Sequence, residues 1–164
     1  MSIESICQAI QDSSIGMSLR ESTYMWPAIE AAHVLSLALS VGTIILVDLR
    51  LIGATMRDEP VTDVIEQTQP WTFGGFILAF ISGIFLFWSE AGRLYPSYSF
   101  RIKMVCIALL GVNALLFHSG IYKNVDQWNR SKATPPRAKF AGWFGLIFWM
   151  VVIFCGRWTA YNLK

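Results

Sequence analysis

The stretch WTFGGFILAFISGIFLFW, from Trp71 to Trp88, decides the fold class because it contains no charged residue. A helix needs roughly 20 apolar residues to cross a hydrocarbon layer about 30 Å thick, and it satisfies its own backbone hydrogen bonds there. Tryptophan is enriched where a span meets the lipid headgroups, and one stands at each end of this stretch. The stretch therefore predicts a transmembrane helix.

Three more stretches share this composition and lie on both sides of the first one: Ala28–Val47, Met104–Tyr122 and Phe140–Gly156. The chain has 13 Lys and Arg and 11 Asp and Glu, yet Glu30 alone among them falls inside the four stretches. A helix at the surface of a soluble bundle would show a charged face instead. We predict an all-α integral membrane protein with four transmembrane helices in an antiparallel bundle.

The overall composition agrees with a membrane protein. Hydrophobic residues make up 54% of the chain, charged residues 15%, and the mean hydropathy is +0.48, whereas soluble domains have about 25% charged residues. The net charge of +2 is small and no basic module stands out, so we expect the lipid bilayer as a partner and no nucleic acid. The three cysteines form no C-x-x-C pair, which argues against a zinc site or a redox dithiol.

The chain is predicted to have two parts, an N-terminal interfacial segment (residues 1–22) and the four-helix transmembrane domain (residues 23–164). In the first part, Ile3, Ile6, Cys7 and Ile10 fall on one face of a helix. This pattern predicts a short helix that lies on the membrane surface. Lys and Arg are divided almost evenly between the two sides of the membrane, so the positive-inside rule leaves the orientation open.

Polar residues inside the predicted spans are the candidate site residues, because an ionisable group in lipid is costly unless it faces protein, water or a partner. On the first helix, the polar residues form a stripe that should face the bundle interior. The stripe consists of Glu30, His33, Ser36, Ser40, Thr43 and Asp48. We expect Glu30 and His33 to form a hydrogen-bonded pair. The counter-charge would be Arg93 or Arg157, and Glu90 should lie at the same membrane face.

Other polar residues are assigned structural roles. Asn113, in the middle of the third helix, should hydrogen-bond to a neighbouring helix. At the opposite membrane face, Asp48 is expected to pair with Lys123 or Lys139, and Arg50 is expected to extend towards the headgroups.

The two histidines inside the spans are candidate cofactor or metal ligands, because b-type haem is held by imidazole. On the predicted spans, His33 and His118 differ in depth by roughly 13 Å, against a boundary error of about 6 Å. This difference argues against a single haem bridging both. Three alternatives remain: a separate haem held by His118, a quinone site, and a cofactor site to which Glu30 contributes beside His33.

Four segments together resemble a known group of proteins: Trp26–His33, Asp48–Gly53, Asn113–His118 and Gly156–Tyr161. The group is an uncharacterised family of small bacterial polytopic membrane proteins, classed as a domain of unknown function. The resemblance implies four transmembrane helices in the bacterial inner (cytoplasmic) membrane, and it implies no activity. The matched motif positions include Glu30, His33, Asp48, Arg50, His118 and Arg157.

Three functions fit these observations. The short loops and the lack of a catalytic motif favour a non-catalytic accessory subunit with a buried Glu/His site, which binds a protein partner or forms a homo-oligomer. The histidines suggest as an alternative a redox carrier that binds b-type haem or quinone through His118, His33 or both. The polar stripe suggests a small transporter or a proton or ion pathway through Glu30 and His33. No catalytic residue is predicted.

Overall fold

The computed structural model describes residues 2–131 and 133–162, without the side chain of Asn162. Met1, Lys132, Leu163 and Lys164 belong to the two predicted segments but lie outside the described residues. The described part is helical and contains no strand. It has two short helices, α1 (Ile3–Gln11) and α2 (Ser14–Glu21), and four long ones, α3 (Met25–Ile52), α4 (Val61–Leu94), α5 (Tyr98–Leu116) and α6 (Pro136–Asn162).

The predicted all-α fold with four membrane-spanning helices is confirmed, since all four long helices are long and apolar enough to cross a bilayer. The third of these spans continues past α5 through a π-helical turn (Phe117–Ile121) and a 3₁₀ turn (Tyr122–Gln127). The helices extend beyond the uncharged stretches because charged side chains at a helix end can reach the headgroup layer. Gly53 ends α3 in a left-handed conformation (φ 79°) that glycine adopts without a steric cost.

The four long helices pack in the order α4, α3, α6, α5, so that α3 and α6 are central. One apolar cluster joins three of them in the middle of the bundle and contains Val41, Cys106, Leu110, Trp149 and Val152. A second cluster closes the end where α3 and α4 are connected and contains Leu51, Val61, Ile65, Phe117, Val125, Trp128, Ala138 and Ala141. The α5 helix is the least covered, because Cys106 and Leu110 are its only buried residues.

Small residues let α3 and α4 approach closely. A Cβ atom added at Gly75 would lie 2.8 Å from the Ser40 Cβ and 2.9 Å from the Ser36 carbonyl oxygen. The Ser40 hydroxyl is fully buried and donates to the Ser36 carbonyl (2.9 Å). Thr43 and Thr72 join the two helices through their hydroxyl groups at 2.7 Å. The predicted polar stripe thus contributes most of its hydroxyls to helix packing.

The N-terminal helices α1 and α2 pack against the last turns of α4, where Glu90 has non-helical dihedral angles (φ −132°, ψ 23°). The kink leaves the Gly92 N–H group to donate to Gln11 Oε1 at 2.9 Å, and Trp88 Nε1 donates to Ser13 Oγ at 3.0 Å. Cys7 is buried, whereas Ile3 and Ile6 are exposed. The predicted apolar face of α1 is therefore divided between the protein and its surroundings, and its position on the membrane surface stays a prediction.

Candidate functional site

His33 lies on α3 against α4 and is held by a serine of that helix. Its Nδ1 atom lies 2.9 Å from Ser82 Oγ. The Ser82 hydroxyl donates its single proton to the Leu78 carbonyl (2.6 Å), so its oxygen accepts from the His33 Nδ1–H group. The imidazole rests on Gly83, where an added Cβ would lie 3.1 Å from Cε1.

The predicted hydrogen bond between Glu30 and His33 does not form, and His33 bonds to Ser82 instead. Glu30 is half-buried and has no hydrogen bond or ion pair to any residue in the ranges 2–131 and 133–162. The expected counter-charges also differ. Arg93 pairs with Glu90 at 3.4 Å, and Arg157 is exposed on α6.

Lys103 is a half-buried charged residue at this end of the bundle. Its half-buried side chain extends from α5 along α6, where Nζ would lie 3.8 Å from a Cβ added at Gly156. Sequence reasoning did not single out Ser82 or Gly83, and it did not single out Lys103. Its position next to the uncharged stretch that begins at Met104 was the available signal.

Asp48 and Arg50 lie at the opposite end of α3, and both are buried, with relative exposures of 7% and 0%. Within the described residues, Asp48 has no ion pair, and its Oδ2 atom has no hydrogen-bond partner. The predicted pairing with Lys123 or Lys139 is therefore wrong, and both lysines are exposed. Asp48 instead fits against α6, where Gly142 and Gly145 leave room for its backbone and carboxylate.

Arg50 does not extend towards the headgroups as predicted. The loop between α3 and α4 covers it, and its Nε donates to the Glu59 carbonyl at 2.9 Å. Neither Nη1 nor Nη2 has a hydrogen-bond partner among the described residues. A guanidinium in this position holds the loop against the helix end, and its remaining buried N–H groups need hydrogen-bond acceptors.

Asn113 behaves as predicted: its Nδ2 atom donates to the Ala141 carbonyl of α6 at 3.1 Å. This bond fixes the packing of α5 against α6.

His118 lies on the outer surface of the bundle, in the π-helical turn, and is exposed. Its Nδ1 atom lies 2.9 Å from the Ala114 carbonyl oxygen. A carbonyl can only accept, so the ring proton is on Nδ1 and the Nε2 lone pair of the neutral ring points away from this bond. Phe117 and Tyr122 contact the ring with centroid distances of 5.4 Å and 5.5 Å.

The two histidines lie far apart, as their predicted depths indicated. His33 is at the end of the bundle that α1 and α2 cover, whereas His118 follows Phe117, which belongs to the cluster at the other end. No group of three or more His, Cys, Asp or Glu side chains in the described part of the chain could hold a metal ion. A ligand of His118 would have to approach from outside the bundle.

The fold and these polar positions define a multi-pass α-helical membrane protein. A sequence profile of a family of unknown function, DUF6644, matches residues 22–162, and the chain belongs to this family. The predicted resemblance to an uncharacterised family is thus confirmed. The matched range covers α3 to α6 and begins after α2. No curated protein and no solved structure matches the chain.

Proposed function

We propose that the protein is a non-catalytic accessory subunit of a larger assembly in the bacterial inner membrane, and that it binds a transmembrane partner through the outer face of α5. The observation that carries this proposal is the exposed imidazole of His118. A polar ring that faces hydrocarbon is costly, and a hydrogen-bond donor from a neighbouring helix removes that cost. With Nδ1 bonded to Ala114, Nε2 is the atom that such a donor would reach.

The residues around His118 also support the binding of a partner at this surface. Leu115, one helical turn earlier, is 70% exposed. Ser119 and Gly120 are also exposed, and a Cβ atom added at Gly111 or Gly120 would meet nothing within 4 Å. Small residues permit the close approach of another helix. The partner that fits this surface is a transmembrane helix that offers a hydroxyl, amide or indole N–H group.

The test uses photo-crosslinking in intact membranes, with the crosslinker at Leu115 and a matched control at Phe80, which is 72% exposed on α4. We expect one adduct of defined mass at Leu115 and none at Phe80. The adduct and the co-purified stoichiometric complex should be lost in His118→Phe and retained in His118→Gln, whose amide oxygen can still accept. Adducts of equal yield at both positions, or an adduct that does not depend on His118, would contradict the proposal. A mass of two copies would identify the partner as a homo-oligomer.

The orientation of the His118 ring favours one second candidate, a redox carrier. A metal-bound imidazole usually donates its other N–H group to a backbone carbonyl or carboxylate, and His118 makes this bond to Ala114. In this alternative, Nε2 would hold a b-type haem at the outer face of α5, with the partner supplying the rest of the pocket.

Absorption spectroscopy of the complex from haem-replete cells decides between the two candidates. A Soret band that disappears in His118→Phe and persists in His33→Gln would support the haem at His118. A featureless Soret region in the intact complex would remove the haem and leave the hydrogen-bonded partner.

A further inference from the structure

We propose that the Asp48 carboxyl group is a proton-binding site between α3 and α6, and that it holds one proton as a neutral acid while the two helices are packed together. Asp48 lies on α3, shortly before that helix ends at Ile52. The proposal rests on this side chain and on the α6 backbone beside it. It does not involve the outer face of α5, so it is independent of a partner at His118.

The carboxyl group of Asp48 is enclosed by the neighbouring helix. The residue has a relative exposure of 7%. A Cβ atom added at Gly145 would lie 2.8 Å from Cγ and 2.9 Å from Oδ1 of Asp48, so the carboxyl group rests directly on the α6 backbone. A Cβ atom added at Gly142 would lie 2.9 Å from the Asp48 carbonyl oxygen. The site is therefore formed by the carboxyl group of one helix and two glycines of the other.

No basic group in the described part of the chain pairs with this carboxyl group. Asp48 has no ion pair there, and its Oδ2 atom is buried without a hydrogen-bond partner. Arg50 is the nearest cation along α3, but residues two apart do not face each other on a helix. The Arg50 Nε donates to the Glu59 carbonyl instead. In the following loop, the Arg57 Nε donates to the Gly53 carbonyl.

The other charged side chains around this end of the bundle do not contact Asp48 either. The two acidic residues of the loop after α3, Asp58 and Glu59, are exposed. Six further charged residues belong to α4, the 3₁₀ turn and α6, and all of them are exposed: Asp63, Glu66, Lys123, Asp126, Arg137 and Lys139. Within residues 2–131 and 133–162, the carboxyl group thus has no charged group in contact with it.

In these surroundings a carboxylate is far more costly than a carboxylic acid. Burial of an unpaired ion costs much more than burial of a neutral polar group, and a buried acid avoids that cost by binding a proton. No group of three or more His, Cys, Asp or Glu side chains among the described residues could hold a metal ion. A proton is therefore the cation that fits the site.

Release of the proton breaks the O–H bond, leaves a carboxylate against α6 and passes the proton to water at the headgroup layer. The end of α3 is about 6 Å from Asp48 at 1.5 Å per residue, so the proton has a short way to travel. The folded protein keeps a proton that the exposed carboxyl group of the unfolded chain releases above about pH 4. Proton binding at Asp48 is therefore coupled to the packing of α3 against α6.

Infrared spectroscopy of the purified full-length protein at pH 7 tests the proposal, because the carbonyl stretch of a carboxylic acid is separate from the bands of a carboxylate. We expect an acid band in the wild type that is lost in Asp48→Asn, whose amide has the same shape and binds no proton. Glu30→Gln is the matched control, since it removes a half-buried carboxyl group from the other end of α3. The Asp48 band should persist in that variant.

The pH dependence of unfolding in detergent gives a second readout. Since the folded state binds the additional proton, stability should fall as the pH rises. The unfolding constant of the wild type should increase more steeply than that of Asp48→Asn, by up to tenfold per pH unit for one proton. Equal pH dependences of the two proteins would contradict the coupling.

Should Asp48→Asn fail to fold by circular dichroism, wild-type protein with ¹³C-labelled aspartate carboxyl groups replaces it. The acid band should then shift. It can be assigned to Asp48 because exposed carboxyl groups are ionised at neutral pH, and the other aspartates are all exposed: Asp12, Asp58, Asp63 and Asp126. A wild type without an acid band, a band unchanged in Asp48→Asn, the same band lost equally in Glu30→Gln, or a band that the label does not shift would overturn the proposal.

Discussion

At the scale of single residues, Gly145 and Asp48 show how a carboxyl group is accommodated between membrane helices. A Cβ at Gly145 would overlap the Asp48 carboxylate, and one at Gly142 would lie 2.9 Å from the Asp48 carbonyl oxygen. Interiors are packed so tightly that even one added methyl group is felt. The two glycines on α6 thus permit the carboxylate on α3.

Gly145→Ala should therefore lower the free energy of unfolding in detergent by about 1–3 kcal/mol, because the methyl group overpacks this contact. The loss should be largely recovered in the double variant with Asp48→Ala, which removes the obstacle. Gly42→Ala is the control, since a Cβ there meets nothing within 4 Å. Additive effects of Gly145→Ala and Asp48→Ala would show that the two residues are not in contact.

Whether the environment of a polar residue could be predicted depended on which part of the chain forms its hydrogen bonds. Asn113 was predicted correctly because an amide in an apolar helix must bond to some neighbour, whichever helix that is. Arg50 was predicted wrongly because burial at a helix end is decided by a loop, here the one that contains Glu59. Helical periodicity carries no information on where a loop crosses.

At the scale of helices, the turn from Phe117 to Ile121 explains the position of His118. A π-helical turn has an i→i+5 bond pattern and inserts extra backbone, so a 100° rotation per residue no longer holds after Leu116. The sequence therefore predicts a depth for His118 but not the face of the bundle on which it lies. The four spans themselves were predictable, since their signal is average composition rather than rotation.

The interface between α3 and α4 allows a sharp test with two adjacent glycines. Gly75→Ala should lower the unfolding free energy by about 1–3 kcal/mol, because its Cβ would press against the Ser36 carbonyl and the Ser40 backbone nitrogen. Gly74→Ala should cost nothing and could add a few tenths of a kcal/mol, since no atom lies within 4 Å there and alanine is the better helix former. Denaturation of both variants in the same detergent gives the comparison. Equal unfolding midpoints would contradict the close packing at Gly75.

The bond from Gly92 to Gln11 predicts that α1 stabilises the kinked end of α4. Gln11→Leu should increase amide hydrogen exchange at the end of α4 about tenfold, because losing one hydrogen bond costs roughly 1 kcal/mol or more. Exchange in the middle of α4, around Ala79, should not change. Glu4→Gln, at an exposed position of α1, is the control. Unaltered exchange in Gln11→Leu would mean that α1 does not stabilise the kinked end of α4.

At the scale of the whole molecule, the four spans place the loop between α4 and α5 on the same side as α2, and the other two loops on the opposite side. The order of the helices in the bundle could not be predicted from the sequence. Packing between apolar helices in lipid depends on local shape, and each span is apolar nearly all round. The glycines that determine the order are recognised only when their neighbours are known.

Cysteine labelling in sealed vesicles tests the arrangement of the loops. Glu21→Cys and Pro96→Cys should react with an impermeant maleimide from one side, whereas Ala54→Cys and Arg130→Cys should react only after the vesicles are opened, or the reverse. All four positions are exposed, and the native Cys7, Cys106 and Cys155 are buried and serve as the unlabelled background. Labelling of Glu21→Cys and Pro96→Cys from opposite sides would contradict a four-span topology.

The 34 residues of α4 correspond to about 51 Å of helix, which exceeds the roughly 30 Å of hydrocarbon and even the 40–45 Å that include the headgroups. Both ends of α4 are nevertheless covered by other parts of the chain. Val61 packs beneath the loop that contains Trp128, and the last turns lie under α1 and α2. Because both ends are covered, α4 can extend beyond the bilayer without exposing its apolar turns to water. We therefore expect α4 to adapt to membranes of different thickness by changing its tilt, with little penalty from hydrophobic mismatch.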